Sequence, residues 1–255
     1  MKLDRSTYFS PEMNMKYMGH SQFLAFRKCE AAALNEITNP RPTDSSAFRL
    51  GHAFDDLFEG KDLNAALADN GLLNSKGKPY ADGEKLIAAY ERVKREPLFM
   101  ELASGKQQTI KTGEIGGVKT KIMIDSYHPN KYIVDRKFVR DFDPIWDADI
   151  GERVSFIRYW GYDIEAAFYQ QAEGNKLPFI LACVTKEATP NVALIEIPQW
   201  LIDDKLAEIE YFAPTFAAIK RGEIEPSRCG TCPHCVETKR IDRIMTLEEF
   251  EGDLT

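Results

Sequence analysis

The sequence has no long apolar run and no surplus of basic residues. No stretch approaches the length of about 20 residues that a membrane-spanning helix needs. The formal net charge is -7, which argues against a protein that coats nucleic acid nonspecifically, because phosphate contacts require clustered Lys and Arg. The chain starts without a secretory signal and contains neither internal repeats nor low-complexity tracts. We therefore expect a cytoplasmic protein of 255 residues with a substantial core and no membrane association.

Cysteine is scarce as well, since there are only five, an odd number that argues against a disulfide framework. Cys229, Cys232 and Cys235 are separated by two-residue gaps, which is a metal-ligand spacing. Cys183 lies in an apolar run of buried-strand type, where cysteine behaves as a small hydrophobe. The sequence therefore predicts that Cys29 is the fourth ligand.

Two segments with alternating apolar and polar residues, 118–127 and 132–138, flank a Pro-Asn turn and predict two strands. Asp125 lies on the first strand, and Asp135 and Lys137 lie on the second. Residues two apart face the same side of a strand, so Asp135 and Lys137 project together while Arg136 points away. Carboxylate oxygens of this kind suit Mg²⁺ or Mn²⁺, and the lysine would orient the attacking water and offset charge on the phosphate. A solvated strand end is the alternative interpretation.

A predicted helix follows Arg49, with Phe54, Leu57 and Phe58 on its buried stripe. His52 lies near its start. The imidazole either packs in the helix or supplies one more metal ligand.

Four features together resemble the PD-(D/E)xK nuclease superfamily, in its RecB-like and exodeoxyribonuclease VIII-like branch. They are Gly51-His52 on a helix, Asp125, the Asp135-x-Lys137 strand preceded by two β-branched residues, and a helix with Tyr162 and Tyr169. Glu165 stands on that helix where the family has Gln.

The resemblance implies an α/β fold with a restriction-endonuclease-like core, in which helices flank a central mixed sheet. It also implies one nuclease domain over residues 1–255, with a helical insertion at about 60–105 and a C-terminal Cys-rich metal-binding segment at 226–240. The catalytic residues it implies are Asp125, Asp135, Lys137, His52, Glu165 and Tyr169. The metal-site residues it implies are His52, Asp125, Asp135 and Arg136.

The same resemblance extends to iron-sulfur nucleases of the superfamily, in which one N-terminal and three C-terminal cysteines hold a [4Fe-4S] cluster. This assigns a cluster to Cys29, Cys229, Cys232 and Cys235. The alternative is Zn²⁺, with His234 as a substitute ligand.

The function that these residues predict is a Mg²⁺- or Mn²⁺-dependent DNA exonuclease of the phage recombination type. The resemblance implies digestion of duplex ends by a ring-shaped homo-oligomer, in partnership with a recombination annealing protein. The alternative is a non-catalytic DNA-binding or scaffold protein that retains the nuclease fold, which the acidic net charge and Glu165 would fit.

Three further segments bear on the site. We predict an irregular arm over residues 1–20, one helix over 21–37, and a crossover from Phe142 to the helix that carries Tyr162. Strands are also expected at 107–114, 179–185 and 192–197, and a long helix at 200–220.

Overall fold

The computed structural model describes residues 2–40, 45–241 and 243–252. Its strands are β1 Lys106–Ile115, β2 Val118–His128, β3 Tyr132–Val139, β4 Ile145–Asp147, β5 Glu152–Val154, β6 Phe179–Thr185 and β7 Val192–Glu196. Its helices are α1 Pro11–Lys16, α2 His20–Lys28, α3 Glu30–Thr38, α4 Ser46–Phe58, α5 Leu63–Asp69, α6 Ala81–Val93, α7 Pro97–Ala103, α8 Phe156–Tyr159, α9 Tyr162–Glu173, α10 Gln199–Lys220, α11 Pro233–Glu237 and α12 Leu247–Gly252.

A five-stranded mixed sheet with the order β1-β2-β3-β6-β7 forms the centre of the fold. β3 and β6 run parallel, and the other neighbours are antiparallel. Asn130 adopts a φ of 61° in the turn between β2 and β3, a conformation that asparagine tolerates better than most residues. The predicted α/β fold with a central mixed sheet flanked by helices is confirmed.

Helices cover both faces of this sheet and form two hydrophobic clusters. On β3, Ile133 and Val139 pack in one cluster with residues of α2, α3, α9 and α10. Val134 and Phe138 pack in the other with residues of α4, α5, α6 and α7. Alternation along β3 therefore directs Asp135 and Lys137 toward the α9 layer and Arg136 toward the α4 layer.

The N-terminal region differs from the prediction of an irregular arm and one continuous helix. The arm contains α1, and Met18 pairs with Thr120 of β2 in a parallel bridge. The predicted helix over 21–37 is interrupted at Cys29, which has extended backbone angles of φ -164° and ψ 110°. This break turns the chain between α2 and α3 and brings Cys29 to the C-terminal cysteines.

The predicted crossover after Phe142 forms a small antiparallel hairpin, β4–β5, followed by α8. The hairpin was not predicted, because each strand is only three residues long. Of the helices in the described ranges, none has the length and apolarity that spanning a membrane requires.

Candidate active site and metal centre

Lys137 lies at the centre of a group of buried charges. Its Nζ is 2.6 Å from Asp135 Oδ2 and 2.8 Å from Glu165 Oε2. Each carboxylate side chain exposes only 3 % of its surface, and that of Lys137 exposes 16 %. Asp135 and Lys137 thus project together from β3, and Glu165 joins them from α9. Two carboxylates compete here for one ammonium group.

This competition shifts the pKa values of Asp135, Lys137 and Glu165 in different directions. Burial, and then the charge of Glu165, raise the pKa of the Asp135 carboxyl well above its usual value. Burial lowers the pKa of Lys137, but Asp135 and Glu165 outweigh it and hold that pKa well above its usual value. Burial raises the pKa of Glu165, but His20 and Lys137 outweigh it, so that pKa lies below its usual value. An additional cation would relieve the repulsion between the two carboxylates.

His20 is a member of this group that the sequence did not reveal. Its Nε2 lies 3.3 Å from Glu165 Oε1. The arm is fixed beside β2 by hydrogen bonds from Met18 N to the Lys119 carbonyl at 2.8 Å and from Lys121 N to the Met18 carbonyl at 3.0 Å. The position of His20 therefore depends on contacts with a distant strand, and no local pattern in the arm indicates it.

Asp125 lies where β2 and β3 separate. Ser126 and Val134 form the last pair of the ladder, so Asp125 and Asp135 come directly after it. Asp125 Oδ2 accepts a hydrogen bond from the Arg136 N–H at 3.0 Å, and Oδ1 accepts one from Gln108 Nε2 at 3.2 Å. At this point the Asp125 carboxylate, and not a main-chain carbonyl of β2, accepts the hydrogen bond from the β3 main chain.

Gln108 is opposite Asp125 on β1 and was not predicted to belong to the site. Its φ of 48° is unusual for a residue other than glycine. Strained backbone of this kind persists where surrounding contacts enforce it, and it is often found at functional sites.

Arg136 links the site to α4 on the other face of the sheet. Its Nε and Nη2 each lie 3.1 Å from Asp55 Oδ1, and its Nη1 donates to Gln107 Oε1 at 2.7 Å. The guanidinium is 4.8 Å from the centre of the Phe58 ring. A guanidinium has no acceptor atom, so Arg136 can contact a metal only through its main-chain carbonyl oxygen. The prediction that Arg136 belongs to the metal site therefore applies only to its main-chain carbonyl oxygen, and it stays a prediction.

His52 is exposed on α4, where its ring lies 4.2 Å from the ring of Phe48. A rotation of 100° per residue places it about 160° from the middle of the buried stripe. Asp55, one turn further along, contacts Arg136 instead. Burial, and then the charge of Asp125, raise the pKa of Asp55 to about 7. The role of His52 as a ligand stays a prediction, and Asp55 is a residue of α4 whose carboxyl interacts electrostatically with Asp125.

Two tyrosines of α9 frame the lysine. The ring centre of Tyr162 lies 4.6 Å from Lys137 Nζ. The Tyr169 hydroxyl donates to the Met123 carbonyl at 2.9 Å, which fixes α9 against β2 two residues before Asp125. Tyr169 is buried, and its hydroxyl is committed to the main chain.

The residues present fit a divalent cation. Asp135 Oδ2 and Glu165 Oε2 are buried and contact Lys137 Nζ, and among the described residues neither has a hydrogen-bond partner beyond that ion pair, so each oxygen retains a lone pair. Hard oxygen donors of this type are the ligands that Mg²⁺ and Mn²⁺ prefer. In the described part of the chain, however, only the cysteines gather three or more ligand atoms within 4.8 Å of one another.

The predicted fourth ligand of the cysteine site is in place. The Sγ atoms of Cys29, Cys229, Cys232 and Cys235 all lie within 4.8 Å of one another. The separations are 3.5 Å for Cys29–Cys235, 3.8 Å for Cys232–Cys29 and 3.9 Å for Cys229–Cys235. Cys183 is buried in β6, as expected. The four-cysteine group fits a metal centre that joins the N-terminal helices to the C-terminal segment.

Main-chain amides of this group point at sulfur. Cys232 N donates to Cys229 Sγ at 3.3 Å, and Cys235 N donates to Cys232 Sγ at 3.4 Å. Such hydrogen bonds lower the pKa of the Cys229 thiol to about 6. The thiolate of Cys229, which is the form that binds metal, is therefore favoured at neutral pH. At Cys232 the hydrogen bond from the Cys235 N–H lowers the pKa of the thiol, but burial and the neighbouring thiols outweigh it and raise this pKa to about 12.

The whole chain resembles known proteins. A family described as "PDDEXK-like domain of unknown function" matches residues 19–238. The fold is similar to the crystal structure of a "Putative exonuclease" from Eubacterium rectale, with a TM-score of 0.88, 33 % sequence identity and 98 % of each chain covered. No curated protein matches this chain. The region matched by the family includes His20, the Lys137 group and all four cysteines of the metal centre.

Proposed function

The chain belongs to the family of PDDEXK-like domains, and on this basis we propose that it is a metal-dependent DNA exonuclease that hydrolyses phosphodiester bonds. The observation that supports the proposal most directly is Lys137, held between Asp135 and Glu165 by ion pairs of 2.6 and 2.8 Å. Buried charges cost folding free energy. A DNA-binding or scaffold protein without catalysis has no need of these three, so their presence favours an enzyme.

Asp125, Asp135 and the main-chain carbonyl of Arg136 are the groups that would hold Mg²⁺ or Mn²⁺. When bound, the ion would lower the pKa of a water molecule and stabilise negative charge on the phosphate. Lys137 would orient this water and offset the charge that develops on the phosphate oxygens. Glu165 and Tyr162 contact Lys137 and fix its position.

For α4, two residues compete as the contributor to the metal site. His52 is the residue that the sequence motif indicates. Asp55 is the better candidate, because it forms an ion pair with Arg136 and because burial, and then the charge of Asp125, raise the pKa of its carboxyl. We propose that Asp55 is the acidic residue that α4 supplies.

We propose that the cysteine centre holds one tetrahedral ion, with Zn²⁺ preferred over the [4Fe-4S] cluster. Four thiolates at the Zn–S distance of about 2.3 Å lie about 3.8 Å apart in a tetrahedron. Three of the Sγ–Sγ separations, at 3.5 to 3.9 Å, agree with that value, and all six lie within 4.8 Å. Iron would instead give a brown protein, so elemental analysis and an absorption spectrum distinguish the two.

We propose that residues 1–255 form one nuclease domain, in which the region around 60–105 is a helical insertion and 226–240 is the metal-binding segment. The contact between Cys29 and Cys235, near opposite ends of the chain, supports this unit. A role in phage-type recombination, a ring-shaped homo-oligomer and an annealing partner rest on the motif resemblance alone. A cytoplasmic location rests on the sequence.

Digestion of three DNA substrates tests the proposal. The purified protein with Mg²⁺ should release nucleotides from end-labelled linear duplex and leave covalently closed circles intact. Relaxation of closed circles would instead identify an endonuclease. Absence of cleavage on linear, nicked and closed DNA with either Mg²⁺ or Mn²⁺ would contradict nuclease activity altogether.

A further inference from the structure

The β4–β5 hairpin presents an aromatic residue and a cation on its outer face. Trp146 pairs with Arg153, and Ile145 pairs with Val154. Directly opposed residues of antiparallel strands share a face. Ile145 and Val154 are half-buried, whereas Arg153 is exposed and Trp146 exposes 57 % of its surface. The hairpin therefore buries its aliphatic face and leaves Trp146 and Arg153 in solvent.

Two more exposed aromatic residues lie at the end of the neighbouring helix. α8 packs against β4. Tyr159 at its end and Trp160 directly after it expose 40 and 52 % of their surfaces. Their ring centres are 4.9 Å apart in an edge-to-face arrangement. Large aromatic side chains are usually covered, so these exposed residues point to a binding surface.

This surface is continuous with the candidate active site. Trp160 precedes Tyr162 by two residues, and two peptide units span at most about 7 Å. The ring centre of Tyr162 is itself 4.6 Å from Lys137 Nζ. A ligand that reaches Trp160 is therefore close to the reacting phosphate.

The cations of this surface form no close ion pair, although burial raises the pKa of the Asp163 carboxyl and the charge of Arg158 partly offsets this rise. Arg153 Nη1 donates to the Pro144 carbonyl at 3.0 Å. Among the described residues, no carboxylate lies within ion-pair distance of Arg153 or of Arg158 on α8. Both guanidinium groups are thus available to phosphate oxygens.

We propose that Trp146, Arg153, Arg158, Tyr159 and Trp160, the outer aromatic surface, bind single-stranded DNA beside the active site. Bases stack on the two tryptophans, and phosphates contact the two arginines. The inference rests on the proposed nuclease function and specifies its substrate as DNA with an unpaired strand.

Single-stranded DNA fits this surface better than duplex DNA, because the two forms differ in how far their base faces are accessible. A duplex covers the faces of its bases everywhere except at its ends, so it can meet this surface only through phosphates. An unpaired strand can turn its bases toward Trp146 and Trp160.

Tryptophan fluorescence tests the proposal directly, because the chain has only three tryptophans and the third, Trp200, lies outside this surface in the first turn of α10. An oligothymidylate of about 12 nucleotides is titrated into the Trp200→Phe protein without added divalent cation. We expect quenching of the emission and binding that is much weaker for a blunt duplex of the same length. Trp146→Ala and Trp160→Ala should each weaken binding about tenfold.

Two controls separate stacking from charge. Arg153→Ala should lower the slope of log affinity against log salt by about 0.7, the value for one phosphate contact on a single strand. Trp200→Ala should leave the affinity unchanged, since Trp200 is exposed to a similar extent but lies outside the surface.

Several outcomes would overturn the proposal. Unquenched emission would do so, as would wild-type affinity in both Trp146→Ala and Trp160→Ala. A shift from dimer to monomer on Trp146→Ala, seen by sedimentation, would assign the surface to self-association instead. If the wild type digests linear duplex while these variants bind the single strand normally, the nuclease function is supported and the proposed binding surface is contradicted. If the strand quenches emission but no DNA is cleaved, the outer aromatic surface is supported and the nuclease function is contradicted.

Discussion

Glu165 contacts Lys137 and His20 through different oxygens. Oε2 faces Lys137 at 2.8 Å, and Oε1 faces His20 at 3.3 Å. The related nucleases that the motifs resemble carry Gln at this position. A glutamine keeps one oxygen that accepts a hydrogen bond from Lys137, but it removes the second negative charge. We therefore propose that Glu165 contributes mainly by positioning Lys137.

The Glu165→Gln variant should retain kcat/KM within about tenfold, because one hydrogen bond to Lys137 remains. Glu165→Ala should lose about a hundredfold, the order of magnitude that misplacing a catalytic group by 1 Å can cause. Digestion of end-labelled duplex measures both, with thermal melting as the control for folding. Equal losses in the two variants would show that the charge matters rather than the position.

Substitutions in α4 show whether His52 or Asp55 contributes to the metal site. Asp55→Asn preserves a hydrogen bond to Arg136 but removes the charge, so we expect a loss of at least about tenfold in cleavage and a higher Mg²⁺ requirement. His52→Ala should leave both near the wild-type values, because its side chain is exposed. The opposite ranking would assign the metal site to His52.

At the scale of elements, the N-terminal arm is bound to the sheet layer by two buried lysines. Lys121 Nζ donates to the Tyr8 carbonyl and to Asn14 Oδ1, the latter at 2.7 Å. Burial lowers the pKa of Lys121 to about 8. The arm carries His20, so these contacts also set one side of the candidate active site.

Lys220 at the end of α10 holds the same arm. Its Nζ donates to the Tyr17 carbonyl at 2.7 Å and to Gln22 Oε1 at 3.1 Å. Both acceptors are neutral, and Lys220 exposes only 6 % of its surface. Burial, and then the charge of Lys121, lower the pKa of Lys220 from 10.5 to about 7.

Stability should therefore rise with pH above neutrality. Between pH 7 and 10.5 the unfolded chain binds a proton at Lys220 that the folded protein has largely lost, so the free energy of unfolding increases with pH in this window. From pH 7 to about 9 we expect Lys220 to contribute about 2 kcal/mol. Urea unfolding of the wild type and of Lys220→Met measures the difference. A pH dependence unchanged in Lys220→Met would contradict the assignment.

The elements that the sequence predicted are those whose signals are local. Alternation and turn residues were sufficient for β2 and β3, and helical periodicity was sufficient for α10. The break at Cys29 was not predictable, because the Ala-rich segment after it favours a continuous helix and the break depends on cysteines far away in sequence. His20 and Asp55 were missed for the same reason: their roles arise from contacts between layers.

At the scale of the whole molecule, the cysteine centre joins the two ends of the chain. Cys29 lies between α2 and α3, and Cys235 lies on α11. Metal binding at such a site contributes directly to folding. A metal ion bound there would therefore help to hold α2 and α3 against the C-terminal segment.

Cys29→Ser should release the metal and destabilise the protein by several kcal/mol, roughly the effect of losing a structural ion. Cys183→Ala is the matched control, because Cys183 is a buried thiol outside the centre and should lose only a packing contribution of about 1 kcal/mol. Metal content by elemental analysis and thermal melting report the outcome. Full metal occupancy in Cys29→Ser would exclude Cys29 as a ligand.

The central claim is that Lys137 and Asp135 form the catalytic site of a DNA-cleaving enzyme. Its most direct test is digestion of linear duplex DNA with Mg²⁺ by the wild type, Asp135→Ala and Lys137→Ala, with circular dichroism to verify folding and the exposed Lys119→Ala as a control. We predict cleavage by the wild type and by Lys119→Ala, and a loss of at least about a thousandfold in the other two while their spectra remain native. Cleavage near the wild-type rate by folded Asp135→Ala and Lys137→Ala would contradict the account.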